Sequence, residues 1–216
     1  MLSRCGAVLF VAILVSSAIA QERRLPKVVL VGDSIRMGYA PLVAKRLEGK
    51  AIVVSAKPNG EDSSNVLRNL DDWVIKENPD VVHINAGLHD LKLTNTSYQV
   101  AMAEYEKNLR TILERIRADT TAKIIFATTT PILDDRHAKR KVGFDRFESD
   151  VLKYNVAAAA VMKQAGVPID DLHAVVESGG KERLMLADGT HYTEEGYEAL
   201  AAAVSESILR SLVSGP

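Results

Sequence analysis

The stretch Lys27-Val28-Val29-Leu30-Val31-Gly32-Asp33-Ser34-Ile35 holds four consecutive apolar residues, three of them β-branched, stopped by a glycine and two small polar residues. A run that short and apolar on both alternating faces reads as a strand covered on both sides, the habit of a parallel sheet. The same pattern recurs at Ala51-Ile52-Val53-Val54, Val81-Val82-His83-Ile84, Lys123-Ile124-Ile125-Phe126-Ala127 and, more weakly, Val167-Pro168-Ile169. Between these runs lie longer segments with helical period. Tyr105, Leu109, Ile112, Leu113 and Ile116 fall on one helix face, after a Thr96–Gln99 pair spaced as a capping box. Tyr197, Leu200, Ala201, Val204 and Ile208 do the same behind Thr193, a suitable N-cap, with Glu194 and Glu195 at the positive end of the dipole. Helices are expected over 38–49, 64–78, 97–118, 146–165 and 193–213. Five strand-then-helix units in succession predict an α/β chain, a three-layer α/β/α sandwich around a five-stranded, mostly parallel sheet.

The flanks and the composition narrow the class further. Residues 1–20 carry Arg4, an apolar run from Gly6 to Val15 too short to span a bilayer comfortably, and Ala18-Ile19-Ala20 before a polar stretch. That is the layout of a cleavable signal peptide cut after Ala20, so the expected product is a secreted or periplasmic domain over 21–216. Cys5, the only cysteine, lies within the leader, which leaves the exported part without disulfides, thiol nucleophiles or cysteine zinc ligands. Across 216 residues, 27 basic side chains face 28 acidic ones for a net charge of -1, too even a balance to mark a nucleic-acid or anionic-membrane partner. An aromatic content of 5% offers few platforms for stacking bases or sugar rings. The oligomeric state is not legible.

Chemistry-bearing residues cluster where strands end. Ser34 follows Gly32-Asp33 at the carboxyl end of the first strand, where a helix begins and backbone N–H groups favour developing negative charge. Read alone, the serine serves equally as a helix cap. Asp188-Gly189-Thr190-His191 puts an acid three residues before a histidine, spacing that lets a carboxylate hold one ring nitrogen while the other accepts a proton. Asn85-Ala86-Gly87-Leu88-His89-Asp90 ends the middle strand, and Asn59-Gly60 follows the second, both at the sheet edge where ligands bind in this architecture. Two segments beyond strand ends, Pro131 to Phe147 and Ala174 to Thr190, are expected to be loops. The charged run Asp134 to Lys141 in the first reads as a solvated loop or a substrate-facing flap. No Gly-x-x-x-x-Gly-Lys cradle, no His-Glu-x-x-His and no Gly-x-Ser-x-Gly elbow occurs, so no cofactor or metal is expected.

The order of these blocks resembles the SGNH hydrolases, also called GDSL-like lipases and esterases, from about Lys27 to Leu212. The resemblance implies a flavodoxin-like SGNH fold and ester hydrolysis with Ser34 as nucleophile, His191 as general base and Asp188 orienting it. It further implies an oxyanion hole made by the Ser34 and Gly60 N–H groups and the residue two after Gly87, with Asp33, Gly87 and Asp90 as supporting residues. That last oxyanion position departs from the family pattern, which has asparagine where this chain has His89. A charged His89 would hold an oxyanion more strongly than an amide does, whereas a poor donor would leave a slow or non-hydrolytic site. The expected substrate is a small-molecule or carbohydrate ester with a short acyl group such as acetyl. The alternatives are a carbohydrate- or acyl-ligand-binding protein on the same fold and an acyltransferase using the same triad.

Overall fold

Residues 24–213 are described by a computed structural model. The expected signal peptide and Cys5 lie outside these residues. Strands β1 (Lys27–Val31), β2 (Ile52–Ser55), β3 (Val81–Asn85), β6 (Lys123–Ala127) and β7 (Ile169–Asp170) form one sheet in the order β2-β1-β3-β6-β7, and every pairing is parallel. A separate two-stranded hairpin, β4 (Leu93–Thr94) with β5 (Ser97–Tyr98), sits beyond β3. The chain leaves β1 towards β2 and returns to add β3 on β1's other side. That reversal opens a crevice between the carboxyl ends of β1 and β3, the place where such sheets bind ligands.

Helices cover both faces. On one side α1 (Ser34–Arg46) and α7 (Leu172–Ser178) pack on α9 (Glu194–Val213). On the other α4 (Met102–Asp119) packs between α2 (Ser63–Arg68) and α6 (Glu148–Ala165). The core follows the sequence pattern closely. Val28 to Val31 are wholly buried, as are Tyr105, Leu109, Ile112, Leu113 and Ile116 on α4 and Leu200, Ala201, Val204 and Ile208 on α9. The α1–α9 contact is tight enough that a Cβ on Gly38 would lie 2.1 Å from the Tyr197 ring.

Several expectations are corrected. Helix α4 starts at Met102 rather than at 97, because Thr96 and Gln99 belong to the hairpin region. There Gln99 sends its side chain to Asp62 and its amide to the Lys92 carbonyl, so no capping box forms. The helix expected over 64–78 is broken into α2, α3 (Leu70–Trp73) and a 3-10 turn at Ile75–Glu77. The break falls at Asn69, whose side-chain amide bonds the Asn65 carbonyl and competes with the helical ladder. The last strand is Ile169–Asp170, two residues at an edge, and the other edge strand leaves Ile52 half exposed instead of doubly covered. The two expected loops carry short helices, α5 (Asp134–Ala138) in the first, and most of α7 with α8 (Lys181–Leu184) in the second.

Candidate active site

Helix α1 begins at Ser34, but its cap is Asp33: the Asp33 Oδ1 accepts the Ile35 N–H at 2.9 Å. The serine hydroxyl is therefore not spent on the helix end. The Ser34 Oγ lies 3.0 Å from the His191 Nε2, and the His191 Nδ1 lies 2.6 Å from the Asp188 Oδ2. Asp188 also accepts the backbone N–H groups of Thr190 and His191 through Oδ1, each at 2.9 Å. Burial works against the Asp188 charge, yet these bonds and the neighbouring imidazole prevail and hold its pKa down at about 2. An anionic Asp188 fixes the proton of the ring on Nδ1, so that Nε2 presents a lone pair to the serine.

The acid–histidine loop is braced from behind by the segment read as a solvated loop or flap. Leu133 donates its N–H to the Gly189 carbonyl at 3.0 Å, and the buried His137 ring meets the Thr190 hydroxyl at 3.3 Å. Arg136 bridges to the carbonyls of Glu182, Met185 and Leu186. From the other side, the amide of Leu186 bonds the His191 carbonyl. The charged run therefore clamps the loop that carries Asp188 and His191.

Arg36, two residues after Ser34, is the largest feature that sequence reasoning passed over. Its guanidinium is 2% exposed and donates to the carbonyls of Gly32, Ala56 and Pro58 and to the Ser55 hydroxyl. It ties the β1–α1 turn to the loop after β2. A signal was available: Arg36 falls in line with Tyr39, Ala40 and Val43 on the buried face of α1, a charge on an apolar stripe.

Three expected contributors take different roles. The Gly60 N–H, expected as an oxyanion donor, donates instead to the Gly32 carbonyl at 2.9 Å and is not directed at the crevice. Gly60 is needed for closeness: a Cβ there would stand 2.6 Å from that carbonyl oxygen. Gly87 has φ +143, and a Cβ would meet the Thr129 hydroxyl at 2.2 Å, so only glycine lets β3 turn here. Asp90 is spent on Ser63, accepting its N–H and hydroxyl at the start of α2. It supports the site by fixing α2 against the end of β3.

Burial pushes the Asp90 carboxyl up to about 7, against the Ser63 bonds. Because the folded chain holds this proton more tightly than the unfolded chain, the group contributes most below the ordinary carboxylate range. That contribution is lost as pH rises through about 7. Urea midpoints of wild type and Asp90→Asn should therefore diverge with pH, the wild type losing more stability than the variant between about pH 4.5 and about pH 8.

His89 flanks the crevice. Its Nδ1 is buried without a partner. Burial, then Lys92 and Arg146, lower its pKa to about 3. The charged His89 considered from sequence is thus excluded near neutrality. Asp33, beneath the serine, is driven up by burial despite the nearby Arg146, Arg36 and His191. Of groups able to hold a metal ion, Glu148, His173 and Glu177 have ligand atoms within 4.8 Å of one another. Those atoms are engaged already, Glu148 with His173 and the Ile132 N–H, Glu177 with Lys181.

A family model for the GDSL-like lipase/acylhydrolase family matches residues 30–199. The chain belongs to this family. It is a carboxylic ester hydrolase of the SGNH type, with the fold of that group. Among solved structures, a lipase/acylhydrolase from Enterococcus faecalis is 26% identical with a TM-score of 0.73, over 85% of this chain and 95% of that one. A GDSL-like lipase from Bacteroides thetaiotaomicron is 20% identical with a TM-score of 0.71, over 86% and 89%. An acetyl xylan esterase is 19% identical with a TM-score of 0.69, over 84% and 99%. A search of curated proteins gave no match. No helix among the described residues is long and apolar enough to cross a membrane.

Proposed function

We propose that this GDSL-family hydrolase cleaves short-chain carboxylic esters through an acyl-enzyme on Ser34. The observation that carries the proposal is the unbroken relay from the Ser34 hydroxyl through the His191 ring to the Asp188 carboxylate. His191 takes the serine proton as Oγ attacks the ester carbonyl, then returns it to the leaving alcohol. Water, deprotonated by the same ring, next attacks the acyl carbon and frees the acid. The tetrahedral oxyanion is held by the Ser34 N–H at the start of α1 and by the His89 Nε2–H. No acceptor for that Ser34 amide exists among the described residues.

The side chains gathered about Ser34 favour a small acyl group. His89, Lys92, Arg146 and Asp33 are polar or charged, a poor lining for a long hydrocarbon chain. A short acyl such as acetyl on a carbohydrate fits best, and the leader over 1–20 fits export to where such polymers are met. A pure binding protein would have no use for an anionic acid fixed on a histidine that faces a serine.

Two measurements test this. A fluorophosphonate probe should label Ser34, and nitrophenyl esters of rising chain length should show kcat/KM falling beyond the shortest acyl groups. His89→Ala should lower kcat on the order of 10²–10³ with little change in KM, the usual scale for one oxyanion donor. Unchanged kcat in that variant would remove His89 from the mechanism, and an unlabelled Ser34 would remove the mechanism itself.

A further inference from the structure

A pair of cations stands beside the nucleophile, and the mechanism above makes no use of either. The hairpin β4–β5 is zipped to the segment before α6 by a reciprocal backbone pair: the Leu93 N–H donates to the Asp145 carbonyl at 2.9 Å and the Asp145 N–H to Leu93 at 2.8 Å. This pairing sets Lys92 and Arg146 on the ring of Phe144. The Lys92 Nζ is 5.1 Å from the ring centroid and the Arg146 Cζ 5.0 Å. Each cation is attracted by the ring, but two like charges share it, so each raises the cost of the other.

Neither cation has an ion-pair partner among the described residues. Arg146 is 4% exposed and spends only its Nε–H, on the Leu88 carbonyl at 2.8 Å, next to His89. Its terminal nitrogens have no acceptor among the described residues, yet they are not sealed from solvent. The charge acts on Asp33, Asp188 and His89, so it sits on the triad's side of the loop.

The neighbouring acids do not neutralise the pair. Asp188 is bound to His191, and Asp62 to the Asn65 amide and the Gln99 side chain. Asp33 is buried and biased towards its neutral form, while Glu61 and Asp145 lie exposed at the outer rim. A nearly buried guanidinium with an open fork, backed by a second cation, is the arrangement that receives a carboxylate.

We infer that the preferred substrate is an ester that also bears a carboxylate, which Lys92 and Arg146 hold while Ser34 attacks the neighbouring ester carbonyl. The inference rests on the serine-hydrolase reading of the site for its chemistry, but on the cation pair alone for its recognition. The carboxylate has two possible origins, a dicarboxylic acyl group or an acidic sugar carrying the ester.

Both origins can be tested with matched pairs. Nitrophenyl hemisuccinate is compared with its methyl ester, and an acetylated uronic acid with its methyl ester. The acid of at least one pair should be turned over about tenfold or more faster in kcat/KM at low salt, with most of that preference lost in about 0.5 M sodium chloride. Lys92→Gln, which removes one of the two cations and, among the described contacts of that side chain, only its place over the Phe144 ring, should cut the preference roughly three- to tenfold and keep the wild-type melting temperature. Equal rates for acid and methyl ester in both pairs, with Ser34 still labelled, would overturn the inference and leave the hydrolase intact. Should Ser34 prove unreactive, calorimetric titration of Ser34→Ala and Ser34→Ala/Lys92→Gln with the uronic acid pair decides the matter. Salt-sensitive binding of the acid, weakened by Lys92→Gln, supports the cation site, and equal binding of acid and methyl ester refutes it.

Discussion

Replacing Ser34 by alanine is expected to reduce esterase turnover by a factor on the order of 10⁴–10⁶ while the protein melts as the wild type does. The size follows from the division of labour in the crevice. Without the hydroxyl no acyl-enzyme forms, and what remains is water attacking a bound ester beside His191 and the oxyanion donors. The intact fold follows from how little else the side chain does: its Oγ contacts the His191 ring, and the helix end is capped by Asp33. Nitrophenyl acetate turnover, probe labelling and a thermal melt are the three measurements. Undiminished turnover in a folded Ser34→Ala protein would mean that the nucleophile lies elsewhere.

The largest loss of stability is expected from Arg36→Met, at least about 3 kcal/mol by urea denaturation. Methionine matches the length of the arginine stem but leaves the Ala56 and Pro58 carbonyls and the Ser55 hydroxyl without their donor, while the Gly32 carbonyl keeps only the Gly60 N–H. Each buried acceptor so stranded costs about 1–3 kcal/mol, partly offset because one long polar group no longer has to be desolvated. Activity should fall along with stability, since the same side chain holds the turn from which Ser34 projects. A variant as stable as wild type would show that the loop after β2 is held by something other than this guanidinium.

Sequence and structure agree where the physical signal is local. Val28 to Val31 read as a doubly covered strand because each of the four is apolar, and the stripe on α4 appears at helical spacing. The contact of Ser34, His191 and Asp188 was legible because each follows a chain feature visible in one dimension: a strand end, or an acid three residues before a histidine. What escaped depends on partners distant along the chain. Nothing near Gly60 announces that its N–H meets Gly32, and the use of Gln99 by Asp62 is invisible beside the tidy spacing of Thr96 and Gln99. The state of His89 was open for the same reason, since its neutrality comes from burial and from Lys92 and Arg146, and Arg146 arrives from more than fifty residues away. Arg36 was the exception: its place on an apolar stripe was written in the sequence.

Ser34 and His191 are separated by 157 positions, one near each end of the described chain, and they meet because α1 and α9 lie against each other with the Tyr197 ring over Gly38. On the proposed chemistry, a nascent polypeptide is consequently inert until α9 has been made and has docked on α1. The same chemistry expects turnover during refolding to appear only with the docking of α9 against α1, later than the helices and strands between them.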